Sequence, residues 1–316
     1  MRKYHVQRVL LGVLVALLGI LPTFSHAKQA VKDPIYVEPE LIEDVPYDAK
    51  KPENLTGRNL YAHSAILIDQ TTGEVLFEKN ADEIIYPAST TKIITTFLGV
   101  LLGDLTQTVY LSEKAADIPA DSSKIGLEIG ESITMLDLLY ATMLCSGNEG
   151  ANMIAESISG DLDSFVQLMN IATRKMGCTS TNFVNAHGYH DDNHYSSVRD
   201  MAIMAQHAMS NQVFRDIAGC VRYTLPRSNM SNARILDGTT APFLNPDIPG
   251  NPHYYPYATG IKTGYHSRAG YCFVGAGEKD GISLISVVFY TSQDGRWSDT
   301  TKLLSYGFSK LENGQN

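Results

Sequence analysis

The chain has 316 residues, 44% of them hydrophobic, enough to bury a sizeable core as one large domain or two modest ones. Its formal charge is −9, and residues 1–27 carry Arg2, Lys3 and Arg8 with no acid, so without them the charge is −12. A chain this acidic is poorly suited to phosphate backbones or anionic bilayers, which sets nucleic acid aside as a partner.

Residues 1–27 read as an export signal: basic Arg2-Lys3 and Arg8, an apolar stretch from Val9 to Leu21, then Ser25-His26-Ala27 as a small-x-small cleavage site. The stretch is shorter than the ~20 residues a spanning helix needs. An uncleaved anchor is the other reading, in which membrane contact runs through the N-terminus alone. Either way the protein is expected to be exported and to work in the cell envelope or as a secreted protein. Cys145, Cys178, Cys220 and Cys272 are widely spaced in a chain large enough to fold without staples, so free, buried thiols are expected.

From residue 28 to 59 the sequence is rich in Pro, Asp and Glu without sustained periodicity, which predicts a tether or irregular arm. The folded domain is expected over 60–312. Residues 64–69 and 74–77 around Thr72-Gly73 predict a hairpin. Pro87-Ala88 leading into Ile93, Ile94, Phe97, Leu98, Leu101 and Leu102 predicts a helix that begins around Ser89 and ends near Gly103. A short strand is expected at 108–111. Thr134 with Asp137 reads as a capping box for a helix through Leu138, Leu139 and Met143 that runs into Ser146. Further helices are expected over 149–159, over 163–175 with Gly177 closing it, and from a cap at Ser197 and Asp200 through Met209. After Val221 the pattern turns to strands and Pro/Gly punctuation, with strands at 271–274 and 282–290 and a last helix over 297–308. Strands at both ends with helices between them predict an α/β fold: sheet parts at about 60–85 and 221–312 and a helical lobe at about 104–220.

Chemistry concentrates in three short motifs. Ser89 and Lys92, three residues apart, are neighbours on one face of the first helical turn. A hydroxyl thus sits beside an amine at the positive end of a helix dipole, where unpaired N–H groups would stabilise an oxyanion. The lysine can take the serine proton only if burial or a neighbouring cation has lowered its pKa. Ser-x-x-Lys alone equally fits a surface serine and a solvated lysine. Ser146-Gly147-Asn148 and Lys262-Thr263-Gly264 follow in order, and this trio marks penicillin-binding proteins and class A β-lactamases.

With these residues in view, the chain resembles the low-molecular-weight penicillin-binding proteins, the serine D-Ala-D-Ala carboxypeptidases of the penicillin-binding protein 5 type (peptidase family S11). The likeness runs from Ala62 to Leu311 and includes residues 122–131 (Ser-Ser-Lys-Ile-Gly-Leu-Glu-Ile-Gly-Glu), residues 183–188 (Phe-Val-Asn-Ala-His-Gly) and Gly295-Arg296. It implies a β-lactamase/DD-peptidase-like fold, an antiparallel sheet flanked by helices with an inserted all-α lobe and the active site between the two. It further implies that Ser89 attacks the terminal D-Ala-D-Ala bond of a peptidoglycan stem peptide, with Lys92 as proton acceptor and Ser146 as relay to the leaving amine. Asn148 would hold the substrate backbone, and the strand of Lys262, Thr263 and Gly264 would pair with it edge-on. The N–H groups of Ser89 and Tyr265 would form the oxyanion hole, with Thr263 and Arg296 taking the C-terminal carboxylate. β-Lactams would be covalent inhibitors. No cofactor and no metal are expected. Two departures stand out: His266 where relatives often carry Thr, and a chain that stops soon after Tyr306-Gly307-Phe308, so that the relatives' C-terminal β domain and membrane anchor are expected to be absent.

Four other readings compete. A class A β-lactamase needs a glutamate between the second and third motifs to activate the deacylating water; none occurs between Glu156 and Glu278. A murein DD-endopeptidase of the same family is not separated by sequence. A metal enzyme is suggested by His187, His190 and His194 with Asp191 and Asp192, which equally fit a polar loop. A non-catalytic penicillin-binding sensor would have no need of the proton relay. Tyr254, Tyr255 and Tyr257 fit either a cleft mouth or packing around a proline-rich turn.

Overall fold

The computed structural model describes residues 47–314; the expected export signal and the part of the expected arm up to residue 46 lie outside the described residues. In chain order the strands are β1 (Ser64–Asp69), β2 (Val75–Lys79), β3 (Thr108–Tyr110), β4 (Ser132–Thr134), β5 (Arg222–Leu225), β6 (Arg234–Asp237), β7 (Ala258–His266), β8 (Gly270–Lys279) and β9 (Ile282–Thr291). The longer helices are α1 (Lys92–Leu102), α2 (Met135–Cys145), α3 (Asn148–Ser159), α4 (Leu162–Met176), α5 (Val198–Met209), α6 (Gln212–Ala218) and α7 (Gly295–Gly314). Among the described residues no helix is long and apolar enough to cross a membrane.

One antiparallel five-stranded sheet runs β2-β1-β9-β8-β7, which leaves β7 at an edge. Successive strand residues face opposite sides, and here both sides are covered. Ile66, Ile68, Ile285 and Val287 join Ile93, Phe97 and Met201 of the helical side. Leu67, Leu284 and Val288 point the other way, onto Trp297, Leu304 and Phe308 of α7. That double burial is why β1 and β9 read as apolar runs rather than as alternation.

The helix starts follow their caps. Asp137 N–H donates to Thr134 Oγ1 at 3.1 Å, Ser164 N–H to Asp161 Oδ1 at 2.9 Å, and Asp200 N–H to Ser197 Oγ at 3.1 Å. At the last of these the carboxylate does not complete a capping box. Asp200 is buried and turns instead to the Ser180 amide at 2.7 Å and the Thr181 hydroxyl at 2.7 Å, binding the 179–181 segment to α5.

Two expected boundaries are corrected. Residues 47–59 are not a tether: Leu55 and Asn59 are buried, Leu55 among the residues that α7 and the sheet bring together, and the Asn59 carbonyl accepts from Lys302 Nζ at 2.5 Å. Such a leucine contributes about 1.5–3 kcal/mol by leaving water, enough to hold an otherwise irregular segment. The hairpin β5–β6 does not belong to the main sheet. Its Tyr223 stacks on Tyr140 of α2 with centroids 4.4 Å apart and donates its hydroxyl to Asp137 at 2.5 Å, so 222–237 packs on the helical lobe. That lobe also holds the two-stranded β3–β4 ladder, so it is not all helix. Of the tyrosine cluster, Tyr255 is stacked on Phe243 at 5.8 Å and Tyr257 meets Tyr255 and Phe308, the packing alternative rather than the cleft mouth.

Candidate active site

Ser89 lies in a 3-10 turn, Ala88–Thr91, that feeds directly into α1. The turn opens with Ala88 at φ 48°, a left-handed conformation that an alanine adopts only when its surroundings impose it. Here they do. Thr91 Oγ1 donates to the Ala88 carbonyl at 2.8 Å and lies 2.8 Å from His194 Nε2. Since His194 Nδ1 accepts the Val184 N–H at 3.2 Å, Nε2 carries the hydrogen and donates to Thr91. Gly188, at φ 86°, closes on the same carbonyl.

Lys92 is fully buried. Its Nζ stands 3.1 Å from Ser89 Oγ, 2.7 Å from Asn148 Oδ1 and 2.7 Å from the carbonyl of His187. Burial first, and then the nearby charge of Lys262, hold its pKa well below the usual lysine range, while Glu149 pulls the other way. A neutral amine within hydrogen-bond distance of a hydroxyl is what a proton acceptor requires.

The second motif is built by a helix-to-helix corner. Ser146, 5% exposed, caps α2 in a left-handed conformation at φ 58°, and Gly147 caps α3. A Cβ on Gly147 would lie 2.5 Å from Ile125 Cγ1, so only glycine lets the corner meet the 122–126 strip. Asn148 donates through Nδ2 to Ser122 Oγ at 3.0 Å, which fixes Oδ1 toward Lys92.

The third motif lies on β7. Lys262 is fully buried, donating to Thr239 Oγ1 at 3.3 Å and to the Thr263 carbonyl at 3.2 Å, and Thr263 Oγ1 donates to Thr239 at 2.9 Å. Burial, and secondarily Arg296, bring its pKa down to about 7. Gly264 touches the Ser89 turn: a Cβ there would lie 3.0 Å from the Pro87 carbonyl and 3.2 Å from Ser89 N. The free edge of β7 therefore borders Ser89. Tyr265 is 56% exposed and packs on Tyr271 at 4.4 Å. Arg296, half-buried, lies over Tyr271 at 5.0 Å and Trp297 at 4.5 Å, and its buried Nε has no hydrogen-bond partner among the described residues.

The structure thus brings Lys92 into direct contact with both Ser89 and Asn148, and sets Lys262, Thr263, Gly264 and Tyr265 along the edge beside them. Sequence reasoning missed the carbonyl of His187, Thr239 and Glu149, none of which carries a motif of its own. His187 and His194 face the site's supports: burial holds both pKa values down at about 3, and their ring nitrogens serve backbone amides of Tyr189 and Val184. His266 packs 5.1 Å from His190 and 6.0 Å from Tyr86 and accepts from the Ala269 amide at 3.0 Å, closing the β7–β8 turn. Among the described residues no His, Cys, Asp and Glu groups are arranged to hold a metal ion. The four cysteines are free, Cys178 and Cys272 buried and Cys145 and Cys220 partly so.

A serine, a buried lysine whose pKa is held down and a strand edge meet in one cleft, an arrangement of the kind known from the β-lactamase/DD-peptidase fold. The sequence profile of the D-alanyl-D-alanine carboxypeptidase family, peptidase S11, matches residues 49–293, and the chain belongs to that family. It is 35% identical over 257 residues to the D-alanyl-D-alanine carboxypeptidase DacF of Bacillus subtilis, an alignment covering 79% of this chain and 63% of that protein. To DacA of Haemophilus influenzae it is 33% identical over 287 residues, covering 85% and 66% respectively. The chain thus spans slightly less than two thirds of these relatives' length. Superposition on the crystal structure of the Streptomyces K15 DD-transpeptidase gives a TM-score of 0.72 at 28% identity, covering 81% of this chain and all of that one.

Proposed function

We propose that the protein is a serine D-alanyl-D-alanine carboxypeptidase that removes the terminal D-Ala from peptidoglycan stem peptides through an acyl-enzyme, and that β-lactams acylate the same serine. The observation that carries this reading is the 3.1 Å contact between Ser89 Oγ and the fully buried Lys92 Nζ. Neutral Lys92 takes the Ser89 proton as Oγ attacks the carbonyl carbon of the penultimate D-Ala. The tetrahedral oxyanion is met by the N–H groups of Ser89 and Tyr265, donors whose loss typically costs ~10²-fold or more. Ser146 relays the proton from Lys92 to the departing D-Ala amine, giving its own proton as it takes that of Lys92, the C–N bond breaks, and an ester on Ser89 remains. Water then attacks the ester with Lys92 again as base, releasing the shortened peptide and restoring the hydroxyl. Lys262, Thr263 and Arg296 hold the terminal carboxylate, and the edge of β7 pairs with the extended peptide. The reaction takes place outside the cytoplasm, where the wall substrate lies.

Intact mass after brief exposure to benzylpenicillin tests this directly, beside a Ser89→Ala control. A one-to-one adduct on the wild type that the control lacks, together with D-Ala release from a stem pentapeptide, is the expected result. No adduct with the antibiotic unconsumed sinks acyl transfer; no adduct with the antibiotic hydrolysed makes the protein a β-lactamase.

A further inference from the structure

Glu149 belongs to none of the three motifs, yet it is 3% exposed and sits in the first turn of α3 directly after Asn148. One carboxylate oxygen, Oε1, accepts two backbone N–H groups from the opposite strip, Ile125 at 2.6 Å and Gly126 at 2.9 Å. The other, Oε2, is buried with no hydrogen-bond partner among the described residues. A buried carboxylate left half-satisfied costs stability, so its presence calls for a use.

Two routes lead from Glu149 to Lys92. The first is mechanical. By clamping 125–126, Glu149 fixes the strip whose Ser123 carbonyl accepts the Asn148 N–H at 2.9 Å and whose Ser122 hydroxyl accepts Asn148 Nδ2 at 3.0 Å. With Nδ2 committed there, Asn148 can only present Oδ1 to Lys92 Nζ at 2.7 Å. Ile125 completes the clamp by filling the space above Gly147 and Gly150, where a Cβ would come within 2.5 Å of its side chain. The second route is charge. Four titratable groups face Lys92: Lys262 from β7, Glu149 from α3, and His187 and His194 from the 183–195 loop. The histidines are neutral at pH 7 and Lys262 is a cation or half-neutral, which leaves Glu149 as the acid that opposes it.

We propose that Glu149 is the positioning residue for the base Lys92, anchoring the 122–126 strip that aims Asn148 at the amine. This rests on the acyl-transfer reading above, and the test separates the two. Kinetics of benzylpenicillin acylation and of D-Ala release are followed against pH for wild type, E149Q and E149D.

Glutamine keeps the acceptor for Ile125 and Gly126 and removes the charge. Loss of a nearby negative charge lowers the Lys92 pKa, so the acidic limb of kcat/KM is expected to move down by about 0.5–1 pH unit. Aspartate keeps the charge but withdraws from the two N–H groups, so acylation is expected to slow at least about fivefold with the limb unmoved. An E149Q profile that superimposes on the wild type, or shifts upward, overturns the inference. If E149Q does not accumulate as folded protein, E149D decides: acylation as fast as wild type overturns it. A purely structural glutamate would lower activity in both variants with no shift of the limb. A wild type that neither takes up penicillin nor releases D-Ala overturns the acyl-transfer reading instead, and this inference with it.

Discussion

A Cβ built on Gly188 would lie 1.8 Å from the carbonyl oxygen of Ala88, so the backbone of the 183–190 loop is pressed flat against the turn that presents Ser89. At φ 86° Gly188 also sits in a conformation that side chains rarely adopt. The same loop supplies the His187 carbonyl to Lys92 at 2.7 Å. One segment therefore braces both the Ser89 turn and Lys92.

Gly188→Ala should disturb both at once. The clash is with backbone, which cannot step aside as a flexible side chain can, so the loop must lift away from Ala88. A cost of about 3 kcal/mol or more in stability is expected, with penicillin acylation at least about tenfold slower through displacement of Ser89 and Lys92. Thermal unfolding and acylation rates read the two effects. An alanine variant with wild-type values in both would show that the loop is not a brace.

The serine, the lysine and the strand were legible in the sequence because their spacing is local: three residues on a helix fix a face, and Lys262-Thr263-Gly264 names its own strand. Supports were not legible, because they act across long separations and through backbone. Thr91 and His194 are 103 residues apart, and the His187 carbonyl contacts Lys92 from 95 residues away with no side-chain signature. The strand period likewise reveals a strand without its partner. Residues 222–237 look like sheet, yet the broad ring of Tyr223 finds Tyr140 on a helix, and the hairpin goes with it.

Arg296 should separate substrates by their carboxylate. Its guanidinium lies over the rings of both Tyr271 and Trp297, with Nε buried and unpartnered among the described residues, so two aromatic contacts restrain the side chain. Arg296→Lys keeps the charge and loses the planar fork and the stacking. For peptides ending in a free D-Ala carboxylate, kcat/KM is expected to fall about 10- to 100-fold, the worth of a charge-assisted hydrogen bond. For the same peptide with its carboxylate amidated, the variant and the wild type should differ little. Equal losses on both peptides would mean that Arg296 serves packing alone.

Lys262 should trade stability for activity. In the unfolded chain its pKa is the ordinary 10.5, and in the folded protein it falls to about 7, chiefly through burial. Between those limits the unfolded state binds more protons than the folded one, so stability rises with pH across the window. Below about 7 both states are protonated and the full cost of the buried cation is present. Lys262→Met removes that cost. At pH 6–7 the variant is expected to be more stable by about 2–4 kcal/mol, the gap closing as pH approaches 10. The stability difference between wild type and variant, measured by denaturant unfolding at several pH values, cancels every titrating group that does not couple to this lysine and leaves Lys262 with its coupled neighbour Lys92. Activity should move oppositely. Without the neighbouring cation Lys92 holds its proton to higher pH, so the acidic limb of acylation shifts upward, and peptides lose a partner for their carboxylate. A variant less stable than wild type at pH 6, or a difference that does not depend on pH, would mean that Lys262 is not folded away as a costly cation beside the serine.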